Sequence, residues 1–397
     1  MPDKLPFEFL FTPEFSRNPY AVYAPMRAEG PVFPIDFPPG FEAYLVVDHE
    51  HGRAALNDQR LSKDLSLFGD YLQVIATEDD ILFEANMLAV DPPEHTRLRR
   101  IVSGAFTPRR VELLRPRVQQ ITDELIGAFS GGSVELLDAF AFPLPIIVIC
   151  ELLGVPSDDR DLFRQWSGLL VNPTFEPEEV RQRQAAARAT RAYFLDLIRE
   201  RTAQPRDDLI SALVTGGELT EKELVSTLSL LLVAGHETTV NLIGNGVLAL
   251  LREPSQLALL RERPELLPSA VEEFLRFDGP VERSTPRFAT EDLEIAGTRI
   301  PKGAMVHISL GAVGRDPAVF ADADRLDVTR TDNRHVAFGH GIHFCLGAPL
   351  ARMEGQIAIG ALVERLPGLA LGCAEEELSW RLTGSVVRGL AALPIRF

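Results

Sequence analysis

The chain has 397 residues, 46% apolar and 24% charged, and its 40 basic and 57 acidic side chains leave a net charge of −17. This composition excludes a disordered or fibrous chain, and the acidic balance argues against general nucleic-acid binding, which needs a basic field. Three cysteines, Cys150, Cys345 and Cys373, are too few for a disulfide framework and point to a reducing compartment.

The N-terminal residues lack the charged and apolar regions of a secretory signal, and no run of about 18 apolar residues occurs, so a cytoplasmic protein without a membrane span is expected. Short apolar, β-branched runs at 32–35 and 43–47, around a Pro-Pro-Gly turn at 38–40, predict strands. From 92 to about 276 the pattern is helical, with apolar residues three and four apart. Asp91 can cap the first of these helices, with Pro92 at its first position. His95 and Arg99 then share one face at i,i+4, apart from the apolar stripe of Leu98, Ile101, Val102 and Ala105.

Thr220 and Glu223 form a capping box that opens a helix running to about residue 251, roughly 45 Å long. Its middle reads Ala-Gly-His-Glu-Thr-Thr, residues 234–239. A glycine and two threonines are poor helix-interior residues, so their presence there needs a reason. Strand signals return over 287–310, around Gly297 and the 301–303 turn. The tail, 383–397, reads as another hairpin.

Between them, residues 338–347 read Phe-Gly-His-Gly-Ile-His-Phe-Cys-Leu-Gly, followed by a helical pattern over 346–366. The glycines permit a tight turn, and Cys345 at a helix N-terminus is biased towards thiolate. Three readings are open for it. It can be a small buried cysteine, a zinc ligand with His335, His340 and His343, or a single axial thiolate to haem iron.

The 338–347 segment matches the haem-binding pattern of the cytochrome P-450 monooxygenases, Phe-Gly-x-Gly-x-His/Arg-x-Cys-x-Gly, at every defined position. Residues 234–239 resemble the signature of that family's central helix, and Glu273 and Arg276 match its Glu-x-x-Arg. The resemblance runs from about residue 18 to the C-terminal tail. It looks nearest to the soluble bacterial class, which includes enzymes that oxidise macrolides and other secondary metabolites.

The resemblance implies a mainly α fold with smaller β regions: one domain over 1–397, a triangular prism with the long oxygen-activating helix over the haem. Cys345 would ligate the iron of heme b (iron protoporphyrin IX), with O2 as co-substrate. His95, Arg99, Arg287 and His343 would bind the propionates. Ala234, Phe338, Gly339 and Gly347 would also contact the cofactor, Phe338 shielding the thiolate and Ala234 with Gly235 leaving room for O2. Glu237 and Thr238 would be the catalytic acid–alcohol pair that delivers protons. Glu273, Arg276 and Arg325 would form a structural network. Met87, Leu88, Leu169, Leu170, Phe175, Val233 and Val387 would line an apolar substrate pocket.

The expected activity is hydroxylation, or epoxidation of an alkene. A separate ferredoxin and its NAD(P)H-dependent reductase would supply electrons to a monomer, docking on Arg97, Arg100, Arg109, Arg110 and Arg352. A haem sensor without catalysis and a peroxide-driven peroxygenase are the alternatives.

Overall fold

The computed structural model describes residues 10, 12–35, 42–64, 86–171, 176–381 and 386–397. They fall into two compact units, each assembled from separated stretches of chain: Met1–Leu61, Pro116–Leu144 and Thr238–Phe397 in one, Ser62–Arg115 and Pro145–Glu237 in the other. No described helix is long and apolar enough to cross a membrane.

The first unit holds the β structure. Its main sheet runs Val32–Ile35, Ala43–Val46, Met305–Ile308, Arg287–Ala289, Leu61–Ser62. The two strands Ala43–Val46 and Met305–Ile308 are buried throughout and pair in parallel, Ala43 opposite Met305. Val32–Ile35 lies at the edge, where Pro34, which has no N–H for a ladder, is tolerated. A separate hairpin joins Leu293–Ile295 to Thr298–Ile300. Its two linking residues, Ala296 and Gly297, have φ of 50° and 79°, as a tight two-residue turn demands. The turn expected at 38–40 lies outside the described residues.

The tail does turn back, with Trp380 bridging Leu390. Its last strand, Pro394–Arg396, instead pairs with Ser133–Glu135 and Ala370–Leu371. A hairpin closed on itself was too local a reading, because the final apolar residues are buried by strands distant in sequence.

The helix Glu221–Arg252 is 32 residues, roughly 48 Å, and begins at the expected capping box. Thr220 N–H donates to Glu223 Oε2 at 2.8 Å, and Glu223 N–H to Thr220 Oγ1 at 3.3 Å. Residues 239–250 are buried all round. There the helix packs against Leu267–Asp278 and Ala348–Arg365: a Cβ on Gly246 would lie 3.0 Å from Ile359 and 3.1 Å from Phe274.

In the second unit Arg160–Val171 packs on Pro177–Ala203 through aromatic edges, with Phe163 and Tyr193 centroids 4.9 Å apart. Asp208 caps Leu209–Gly216 through Ser211 N–H at 2.7 Å and also accepts from the buried Arg201 at 2.7 Å. The helix carrying His95 is Glu94–Ala105, with Pro93 at its N-cap. Asp91 is not its side-chain cap. Its carboxylate accepts from Ser62 Oγ and Lys63 N–H, groups that reach it first across the loop.

Candidate active site

Cys345 lies on an exposed loop three residues before Ala348–Arg365. Its N–H donates to Phe338 O at 2.9 Å, which closes the loop. Gly339 and Gly341 both have φ of +75°, and a Cβ on Gly341 would run into Asn57 Oδ1. Only glycine suits both constraints. Gly347 caps the following helix, its Cα substituent position 3.9 Å from Cys345 Sγ.

Behind the loop sits a charged pair. Arg352 donates through Nε and Nη2 to Glu272 at 2.7 and 2.8 Å, and its guanidinium lies 4.6 Å from the Phe338 ring centre. His335 Nε2 is 3.1 Å from Glu272 Oε2, so this histidine is engaged by a carboxylate. Burial would raise the Glu272 carboxyl, but hydrogen bonds from Arg352 and His335 overcome that and bring it to about 2. Arg352 is held protonated by those hydrogen bonds to Glu272, with a further contribution from the charge of Cys345. A fixed cation beside the cysteine favours its thiolate.

The second network has a fully buried centre. Glu273 and Arg276 are 0% and 1% exposed and pair at 2.7 Å twice. The third member is Arg330, whose Nε donates to Glu273 Oε2 at 3.1 Å. Arg325 does not fill that place. Its side chain is 65% exposed and faces Asp327, and only its carbonyl accepts from Arg276.

On the long helix, Leu232, Val233, His236, Glu237, Thr239 and Val240 are buried, whereas Leu231, Gly235 and Thr238 are half-buried and Ala234 is exposed. At i, i+3 and i+7, Leu231, Ala234 and Thr238 form one stripe facing open space from the middle of a buried helix. Ala234 thus provides room. Gly235 does not, since a Cβ there would lie 3.0 Å from Ile149. Its missing side chain admits the Pro143–Leu153 helix. Glu237 Oε1 lies 3.3 Å from Ser167 Oγ, which in turn is 2.9 Å from His236 Nε2.

Nitrogen donors occur in both units. His95 is 3% exposed, and Arg99 is half-buried one turn on. Burial, then the charge of Arg99, lowers the His95 pKa. Arg287 is 5% exposed in the sheet, opposite Val306, and His343 is half-buried in the turn Gly341–His343. Arg99 and Arg287 are cations, and His95 and His343 add ring nitrogens, which is the donor chemistry that an anion requires.

The family model for cytochrome P450 matches residues 166–367. The chain is 48% identical to cytochrome P450 monooxygenase PikC of Streptomyces venezuelae, over 97% of this chain and 92% of that one. It is 45% identical to 6-deoxyerythronolide B hydroxylase of Saccharopolyspora erythraea, over 95% of each. Among solved structures, the cytochrome P450 enzyme CxnD, for C–S bond formation in chuangxinmycin biosynthesis, superposes with a TM-score of 0.93 at 45% identity, covering 100% of this chain and 98% of that one. The chain belongs to the cytochrome P450 family. It is a P450 monooxygenase, and membership carries the use of haem and O2 with it.

The donor set of this P450 suits haem. The group needs one soft ligand for iron and cationic partners for two carboxylates. Cys345 beside Arg352 has the chemistry of the first, and the arginines Arg99 in one unit and Arg287 in the other have the chemistry of the second, with His95 and His343 as further nitrogen donors.

Of the expected substrate contacts, Leu170 and Val233 pack with Ala187 in a core cluster. Met87 is buried, and Leu88, Leu169 and Val387 are half-buried, Val387 bridging Val281. Phe175 lies outside the described residues. The expected basic patch is largely neutralised. Arg97 pairs with Glu94 and Glu223, Arg100 with Glu218, and Arg352 with Glu272. Arg109 and Arg110 are exposed. The chain's own acidic side chains, abundant at −17, reach those three arginines first.

Sequence reasoning passed over Glu272, Arg330, Ser167 and His236. Glu272 had a signal, as the neighbour of Glu273 one helical step away. His236 had another, as a polar residue inside an apolar helix.

Proposed function

We propose that this P450 oxidises an apolar macrolide or polyketide-like small molecule, with electrons from a ferredoxin and its NAD(P)H-dependent reductase. The whole chain, 1–397, acts as one catalytic domain in the cytoplasm, as a monomer. When bound, the haem supplies O2 activation and insertion of one oxygen atom into a C–H bond.

The chain's residues do the rest. Cys345 holds the iron as a thiolate, and Arg352 favours that charge state. His95, Arg99, Arg287 and His343 hold the propionates, while Phe338, Gly339 and Gly347 shape the loop against the cofactor. Thr238 holds a proton at Oγ1 on the open stripe, and Glu237, buried one residue earlier, passes protons to it. Leu88, Leu169 and Val387 are the expected contacts for an apolar substrate. The substrate class follows the names of the relatives.

The observation that carries the reading is the open stripe of Leu231, Ala234 and Thr238 on an otherwise buried helix. A panel of macrolactones and linear polyketides tests it, scored by the spin-state shift of the haem and then by turnover under 18O2. A bound macrolactone or polyketide gaining one 18O atom is the expected result. Turnover confined to small polar compounds contradicts the substrate class, and product without 18O contradicts the reaction.

A further inference from the structure

We propose that Ser167 and His236 form a proton relay that positions and recharges Glu237. This rests on the reading of Glu237 as the acid that serves Thr238. All three residues belong to one compact unit and are at most 3% exposed.

His236 Nδ1 is 2.7 Å from Leu232 O. A carbonyl oxygen only accepts, so Nδ1 carries a proton. Nε2 is then the basic nitrogen of the ring, 2.9 Å from Ser167 Oγ. The same hydroxyl is 3.3 Å from Glu237 Oε1. Direct transfer between ring and carboxylate is unfavourable, since Nε2 and Oε1 are 3.5 Å apart. The hydroxyl also reaches Arg164 O, at 3.4 Å, the longest of its contacts.

Ser167 has one hydroxyl proton, and its two side-chain partners allow two arrangements. In one, Glu237 is a neutral acid donating to Ser167 Oγ, and Ser167 donates to a neutral His236 ring. In the other, His236 carries a second proton and donates to Ser167 Oγ, and Ser167 donates to the Glu237 carboxylate. Passing from the second to the first breaks Nε2–H and forms Oγ–H, while the former Oγ–H bond breaks and a carboxyl O–H forms. Proton count and net charge are unchanged, so no co-reactant is needed. Starting from the second arrangement, the ring proton passes through Ser167 to Glu237, and Glu237 then gives it to Thr238, so each protonated ring supplies one proton and is left neutral. Ser167 and His236 are positioning residues, since they act only through Glu237.

The test uses reconstituted holoenzyme, reduced and CO-bound, with 15N-labelled histidine. His236 is assigned by the signal lost in His236→Gln. The expected ring is protonated at Nδ1, and its Nε2 resonance moves in Ser167→Ala and returns towards wild type in Ser167→Thr. Turnover is measured alongside, as product formed per NAD(P)H consumed. Ser167→Ala is expected to lower that ratio about tenfold, with peroxide released instead, a smaller loss than removing a direct proton donor because Ser167 acts through Glu237. A neutral ring protonated only at Nε2 overturns the relay, and wild-type protein alone decides that point. If Glu237→Gln uncouples turnover while Ser167→Ala stays at the wild-type ratio, the relay fails and the reading of Glu237 stands. If Glu237→Gln keeps the wild-type ratio, the reading of Glu237 itself fails.

Discussion

Glu272 grips Arg352 through both carboxylate oxygens, at 2.7 and 2.8 Å, on the side of the loop that carries Cys345. The pair joins two helices and holds a cation beside the thiolate position.

Glu272 therefore shapes the acid limb of stability. Its folded pKa, about 2, lies below the usual carboxylate value of 4.5. Its contribution is complete above pH 4.5 and is lost as pH falls from there through about 2. The side chains are partly solvated, so the contribution is about 1–2 kcal/mol after screening. Denaturant melts of wild type and Glu272→Gln should diverge by that amount at pH 6 and converge towards pH 2. Parallel curves contradict the assignment.

Glu354 works in the opposite sense. Burial raises its carboxyl to about 8, opposed weakly by the Thr239 hydroxyl. The folded state holds a proton that the unfolded chain releases near 4.5, so stability declines as pH rises from about 4.5 to 8. At pH 7 the cost is about 3 kcal/mol. Glu354→Gln should remove the slope and raise stability at pH 7 by up to that amount. A slope equal to that of wild type contradicts it.

Arg330 and Arg325 should differ sharply on truncation. Arg330→Ala leaves the buried Glu273 with one cation fewer, and a loss of about 2–4 kcal/mol is expected. Arg325→Ala removes an exposed side chain and should stay within about 0.5 kcal/mol. Urea melts of the two variants check this, and equal losses contradict the placement of Arg330 in the network.

What the sequence made legible was local. The Cys345 loop, the capping box at Thr220 and the Glu273–Arg276 pair each depend on residues within one or two turns, so spacing alone exposes them. The central stripe of the long helix was legible for the same reason. Arg330 reaches Glu273 across 57 positions, Ser167 reaches Glu237 across 70, and Arg352 reaches Glu272 across 80. No periodicity encodes such meetings, because tertiary packing makes them. Arg97 and Arg100 show the same limit: the family resemblance puts them on a basic docking face, but Glu223 and Glu218, 126 and 118 positions away, neutralise them.

The central claim is that Cys345 is the thiolate ligand of a catalytic haem. The direct measurement is the absorption difference on adding CO to the reduced, haem-loaded protein. A band at about 450 nm is predicted for wild type, from the strong electron donation of a thiolate ligand. Cys345→His should bind haem and lose that band. A haem-loaded wild type without the band, or a Cys345→His protein that keeps it, would contradict the account.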